Sequence, residues 1–243
     1  MRGSGISTRQ MITIINNPNE IICSNESAIM LDDVLDKLLT QRFPTIPSQL
    51  SKFCNQASKI LQYSQIFIKK CLKDFQQKTI QFVLFPIRRE FATVCKSGKP
   101  GPKARELMKA ANCGNHARPG LKKCYQTFIT QEMSILNATQ KQKIPMICCT
   151  FHKLRECFIS EAEEVKECTP RTITYISRWA TEIYGELMDI MCFEYPDSSD
   201  RCIKVIDGLP DIDLSGIIKP KSFLSPLLKI FGDFDKEDAP IGR

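Results

Sequence analysis

Apolar residues recur at steps of three and four along most of the chain, which is the spacing of one face of an α-helix. No run of alternating apolar and polar residues is long enough to predict a β-strand. The most regular helical face consists of Ile147, Phe151, Leu154, Phe158, Ala162 and Val165. The pattern predicts an all-α fold, a multi-helix bundle.

Prolines and glycines mark where the predicted helices end. Pro86 lies inside an apolar stripe and is expected to kink or split its helix, because proline removes a backbone donor. Ser97–Pro102 is a predicted loop, followed by a short helix over Lys103–Ala111 and another over Leu121–Asn137. A further helix is expected to begin at Pro170, since proline is favoured in a first turn.

Composition changes along the chain and predicts three regions. Residues 1–22 form a leader or flexible N-terminus, and residues 23–207 form a helical, disulfide-rich domain. Glycine, proline and aspartate recur after that, so 208–243 is expected to be an irregular C-terminal arm. The arm contains one short amphipathic helix over Ser222–Phe231, which Pro226 is expected to shorten or bend.

Twelve cysteines are the most informative feature of the composition. Their number is even and no C-x-x-C pair occurs, so the sequence favours six disulfides over a metal site. On a helix, the adjacent Cys148 and Cys149 point about 100° apart, so they are expected to join their helix to two different elements. The predicted disulfide residues are Cys23, Cys54, Cys71, Cys95, Cys113, Cys124, Cys148, Cys149, Cys157, Cys168, Cys192 and Cys202.

This cysteine usage is typical of a secreted, extracellular protein. The opening residues lack the apolar run of a signal peptide, and Met1 to about Arg9 is interpreted as an expression leader on a mature chain. No stretch is apolar enough to predict a transmembrane segment. Two glycosylation sequons begin at Asn25 and Asn137.

The formal charge of +7 comes with a basic region between Lys52 and Tyr125. Such a region suggests anionic glycans, lipid headgroups or an acidic protein as partners, although a solvated face of several helices is the simpler interpretation. Nucleic acid is not an expected partner, because the cysteines indicate export. The candidate anion-binding face consists of three doublets, Lys69, Lys70, Arg88, Arg89, Lys122 and Lys123.

Phenylalanines are dense over the helices that carry prolines. A kinked bundle can leave a cavity for a fatty or aromatic ligand, and simple core packing is the alternative. The candidate cavity residues are Phe67, Phe75, Phe82, Phe85 and Phe91.

One run of residues raises the question of catalysis. Cys148 to His152 matches the C-C-x-x-H core of secreted phospholipases A2, in which the following aspartate binds calcium. Here that position is Lys153, a cation, and no glycine-rich calcium loop precedes it. We therefore expect no catalytic residues, no metal and no cofactor. A hydrolase stays as a disfavoured alternative.

The cysteine order and helix pattern from Phe53 to Cys192 resemble the 27 kDa hemolymph glycoprotein family of arthropods. Cys148 and the tail after Asp207 depart from that pattern. The residues that carry the resemblance are Lys52-Phe53-Cys54, Cys71-Leu72, Val94-Cys95-Lys96, Cys113, Cys124, Cys149, Leu154-Arg155-Glu156-Cys157, Cys168-Thr169-Pro170, Ile176 and Met191-Cys192. The resemblance implies a secreted, helical, often glycosylated protein of body fluid without catalytic residues.

The sequence thus predicts a non-catalytic binding protein of extracellular fluid. Its leading interpretation is a carrier of an apolar or amphipathic small molecule, which the phenylalanine-rich helices suggest. The alternative is a defence or signalling factor that binds anionic partners through the basic doublets.

Overall fold

The structure, a computed structural model, describes five stretches of the chain. They are residues 21–96, 98–195, 201–213, 215 and 219–237. Within the helices, the side chains of residues 25, 26, 180, 181, 183–187, 189 and 233–237 are not described. The predicted leader at residues 1–20 lies outside these stretches.

The described residues form eight helices and no β-strand, which confirms the all-α prediction. The helices are α1 (Asn25–Thr40), α2 (Pro47–Cys71), α3 (Asp74–Val94), α4 (Pro102–Ile135), α5 (Gln140–Glu163), α6 (Pro170–Met191), α7 (Arg201–Asp207) and α8 (Leu224–Glu237).

Local sequence explains where several helices begin. The Ser24 hydroxyl accepts a hydrogen bond from the Ser27 amide, and the Ser27 hydroxyl accepts one from the Ser24 amide, which forms a capping box before α1. Thr169 caps α6 in the same way, and Pro170 is its first residue, as predicted. Proline is also the first residue of α2 and α4, where its missing N–H removes no hydrogen bond.

Two predicted helix breaks do not occur. α3 runs without interruption through Pro86, so the predicted split is wrong. α4 is one helix of 34 residues and includes Pro119, although two shorter helices were expected there. Tertiary contacts explain the continuity of α4, because Cys113, Gly114 and Ala117 are buried in the stretch where a gap between two helices was predicted.

The C-terminal helix also differs from the prediction. α8 begins at Leu224, so Pro226 lies in its first turn, where proline does not disturb helix geometry. The helix is 14 residues long instead of short or bent. Leu224, Leu227 and Ile230 are buried, so α8 belongs to the core, although the arm that leads to it is not helical in its described residues.

The helices pack around α4 and α5, which make the most extensive contact in the bundle. α3, α6 and α8 contact α4, and α6 and α7 contact α5. α1 packs on α2, which in turn packs on α3. The buried side chains of these helices form one continuous apolar core.

All twelve cysteines form disulfides, as predicted. Their Cα–Cα distances span 4.6–5.9 Å, within the range that a disulfide requires. Two bridges lie between residues 23 and 95, and four lie between residues 113 and 202. The pairs are Cys23–Cys71, Cys54–Cys95, Cys113–Cys168, Cys124–Cys157, Cys148–Cys192 and Cys149–Cys202.

The adjacent cysteines of α5 bind two different elements, as their angular separation predicts. Cys148 joins Cys192 at the end of α6, and Cys149 joins Cys202 in α7. Each bridge closes a long loop, and restricting such a loop in the unfolded chain stabilises a protein by about 4 kcal/mol in the chain-entropy model. α5 is therefore fixed covalently on two sides.

No cysteine follows Cys202, so noncovalent contacts alone hold α8 in place. The Asp32 carboxylate of α1 accepts hydrogen bonds from the Ser222 amide at 3.0 Å, the Ser222 hydroxyl at 2.6 Å and the Lys221 amide. The Lys221 ammonium forms an ion pair of 2.7 Å with Asp33. These contacts hold the segment before α8 against α1.

Candidate ligand cavities

Two apolar cavities lie on either side of Tyr125, which lines both of them. The first, which we call the Trp179 cavity, lies between α1, α4, α5 and α6 and has a volume of about 100 Å³. Its walls are Leu39, Thr40, Gln41, Phe43, Gly114, Arg118, Leu121, Lys122, Tyr125, Phe158, Ile176 and Trp179. At 10–15 Å³ for each water, it has room for about seven to ten water molecules.

The linker between α1 and α2 forms part of the wall of the Trp179 cavity and is hydrogen-bonded to α4. The Phe43 amide donates to the Asn115 side-chain oxygen at 2.9 Å, and the Asn115 amide nitrogen donates to the Phe43 carbonyl at 3.0 Å. The Phe43 ring lies edge-on to Trp179, with 5.5 Å between ring centroids. A Cβ atom at Gly114 would approach the Phe43 ring to 2.8 Å, so only glycine admits this ring position.

Several of the residues that line the Trp179 cavity carry polar or charged groups that could contact a ligand. The Trp179 indole N–H is buried and has no hydrogen-bond partner among the described residues. Arg118 is half-buried and Lys122 is exposed at the edge of the cavity. Burial raises the pKa of nearby Asp36, and the positive charge of Lys122 opposes that rise. The cavity therefore combines aromatic walls with two cations, and the wall residue Trp179 carries a donor that has no partner among the described residues.

The second cavity, which we call the Glu132 cavity, lies where α3, α4, α5, α6 and α8 meet. Its volume is about 40 Å³. Its walls are Val83, Tyr125, Phe128, Glu132, Ile147, Phe151, Leu154, Met188, Met191, Phe223, Leu227 and Phe231. The Tyr125 hydroxyl accepts a hydrogen bond of 3.0 Å from the Phe223 amide and so joins this wall to the start of α8.

Glu132 is the acidic residue among the side chains that line this cavity. Only 1% of its surface is exposed, and its Oε2 atom is buried without a hydrogen-bond partner in the part of the chain that the structure describes. Burial raises the pKa of Glu132 well above its usual value, and no nearby cation opposes the effect. Burial therefore favours the uncharged acid, which can both donate and accept a hydrogen bond.

The five phenylalanines predicted to line a cavity are not brought together. Phe67 and Phe91 are buried, whereas Phe75, Phe82 and Phe85 are 39%, 48% and 54% exposed. Phe91 instead stacks on Phe53 in the core, and none of the five lines either cavity. The reason is that the latter three lie on the outer side of α3, away from the residues that α3 buries.

The three basic doublets lie on three successive helices, α2, α3 and α4. Lys69, Lys70, Arg89 and Lys123 are exposed, as Lys122 is, and Arg88 is half-buried. Arg88 donates to the Gln81 carbonyl, and Arg89 lies over the Phe85 ring. Lys122 alone of the six lines a cavity described above.

His152 has a structural contact at one ring nitrogen. Its Nε2 lies 2.6 Å from the Tyr195 carbonyl oxygen, and the neighbouring Lys153 forms an exposed ion pair with Glu156. Cys124, Cys157 and Glu161 have metal-like spacing in the described structure, but the two sulfurs are joined in a disulfide and cannot bind as thiolates. The two sulfurs are therefore not available as metal ligands, and the hydrolase alternative stays a disfavoured prediction.

The structure describes the side chain of one of the two predicted glycosylation sites. Asn137 is exposed in the turn between α4 and α5. Asn25 is the first residue of α1, and its side chain lies outside the described residues.

Sequence reasoning missed both cavities, although one signal was present. Glu132 lies four residues after Phe128 and seven after Tyr125, so helical spacing places its carboxyl group on the apolar face of α4. A lone acid on an apolar face indicates a buried polar group. The Trp179 cavity had no comparable signal, because distant segments of the chain form it.

No protein-family model, no curated protein and no solved structure matches this chain. The resemblance to the hemolymph glycoproteins therefore stays a prediction. Among the described residues, no helix is long and apolar enough to cross a membrane.

Proposed function

We propose that this protein is an extracellular, non-catalytic carrier of a small amphipathic molecule with one anionic group. The observation that carries this proposal is the Trp179 cavity, which has apolar walls, an unused indole donor and two cations at its edge. Ligand sites in proteins commonly combine an apolar surface with a few polar groups that fix orientation. The pairing of all twelve cysteines and the resemblance to hemolymph glycoproteins support the extracellular assignment.

The positions of the charged groups favour an anion over a neutral ligand. Among the described residues, Arg118 forms no salt bridge, and Lys122 acts on nearby Asp36 through its charge without a direct ion pair, so an incoming carboxylate displaces no direct contact. The apolar part of the ligand would contact Phe43, Phe158 and Trp179, and its headgroup would lie towards the solvent edge. Electrostatic attraction at such an edge weakens as salt is added.

Trp179 is the only tryptophan of the chain, so its fluorescence reports on this cavity alone. Octanoate is a suitable probe, and octanol, with the same chain and no charge, is the matched control. We expect octanoate to change the emission saturably and octanol to bind more weakly. Lys122→Gln should weaken octanoate about tenfold, because one charged hydrogen bond is lost.

Lys123→Gln is the control variant, since Lys123 is exposed beside Lys122 but does not line the cavity. It should leave octanoate affinity unchanged. An emission spectrum that does not respond to octanoate, or equal affinity for octanoate and octanol, would refute the proposal.

A further inference from the structure

The Glu132 cavity presents a different chemistry from the Trp179 cavity. Its walls carry two titratable side chains, Glu132 and Tyr125, and no cation. The Tyr125 hydroxyl already accepts a hydrogen bond from the Phe223 amide. The buried Oε2 atom of Glu132 has no partner among the described residues, and leaving such a polar atom unpaired is unfavourable.

We propose that the Glu132 cavity is a second ligand site, which takes a small ring compound with one neutral hydroxyl group. The hydroxyl would donate to the carboxyl oxygen of Glu132 or accept from its O–H, and the ring would contact the apolar walls. An anion is excluded because no cation faces the cavity, and a purely apolar ligand would leave the acid unpaired.

The volume limits the size of this ligand. A cavity of about 40 Å³ holds about three water molecules, which occupy roughly 100 Å³ in the liquid. This is about the volume of one six-membered ring with a single substituent. A long-chain amphiphile does not fit without displacement of the walls.

Access to the cavity is through α8. Phe223, Leu227 and Phe231 form one wall, and α8 follows all of the disulfides in the chain. The other walls belong to helices whose ends the bridges fix, so α8 is the wall that can move at least cost. Local opening of a weakly held element is a common route to a buried site.

Phenol and toluene test the proposal, because they have nearly the same shape and differ by a hydroxyl against a methyl group. Met188 and Met191 line the cavity, so their methyl NMR signals report on it, whereas the Trp179 cavity contains no methionine. We expect phenol to shift both methyl signals saturably and to bind at least about tenfold more tightly than toluene.

Glu132→Leu should reverse this preference, because the polar partner is replaced by an apolar one of similar size. Glu132→Gln should keep it, since an amide also donates and accepts. If Glu132→Leu does not fold, the phenol-to-toluene preference of the wild-type protein decides alone. No shift with phenol would mean that water alone occupies the cavity, and equal affinities would mean that Glu132 does not recognise the hydroxyl group. Either result would overturn the inference. Octanoate binding is read at Trp179, so either proposal can fail without the other.

Discussion

Replacing Glu132 by glutamine isolates the free energy of holding an uncharged acid in the core. The unfolded chain loses this proton as pH rises through the ordinary value of 4.5, whereas burial raises the pKa of Glu132 in the folded protein. Between these two values the folded state binds more protons than the unfolded state. Stability must therefore fall as pH rises.

The magnitude follows from proton linkage. Each pH unit above 4.5 lowers the free energy of unfolding by about 1.4 kcal/mol while the folded protein keeps its proton. Over the pH range in which folded Glu132 keeps its proton, the wild-type protein should lose stability relative to Glu132→Gln at about this rate. Glutamine is polar but does not titrate in this range. Burying it therefore changes the stability of Glu132→Gln by the same amount at every pH, and it does not change how steeply stability depends on pH.

Urea unfolding with the disulfides intact, followed by circular dichroism at several pH values, measures this difference. All other titratable groups are the same in both proteins, so their effects cancel in the comparison. Glu163→Gln, which changes an exposed acid of α5, should give a curve parallel to the wild type. Parallel curves for wild type and Glu132→Gln would show that Glu132 is ionised in the folded state and would refute the reasoning.

Two further predictions concern helix contacts. Glu90 is buried, and its carboxylate pairs with Lys103 at 2.8 Å, so Lys103→Met should destabilise the protein by about 3 kcal/mol in urea unfolding. The control is Lys153→Met, which breaks an exposed ion pair and should change stability by less than about 1 kcal/mol. If both variants lost the same stability, burial of Glu90 would not explain the effect of Lys103→Met. Gly114→Ala should displace the Phe43 ring, shift the emission of Trp179 and destabilise the protein by about 1 kcal/mol. A second change, Phe43→Leu, should restore part of the lost stability. An unchanged emission spectrum of Gly114→Ala would contradict this prediction.

The sequence predicted the features that depend on local periodicity and on residue type. Helical spacing gave the all-α class, and the angle between Cys148 and Cys149 gave two different bridge partners. The start of α6 at Pro170 followed from the preference of proline for the first turn of a helix. Each of these results depends on residues close together in the chain.

Features that depend on distant contacts were not predictable in the same way. The continuity of α4 through Pro119 depends on the packing of Gly114 against Phe43 and on the bridge from Cys113 to Cys168. The placement of Phe82 on the outer side of α3 depends on which neighbours that helix has. Periodicity alone identifies a face, but not the segment that covers it.

The division of the bridges into two groups has a consequence for proteolysis. No covalent link other than the backbone joins residues 23–95 to residues 113–202. Lys96 is exposed in the connecting segment, so one tryptic cut there should yield two fragments that separate on a denaturing gel without reductant. A cut within a bridged loop would leave the pieces attached. The two bridged regions are therefore covalently closed units in series, and only the backbone of one short segment joins them.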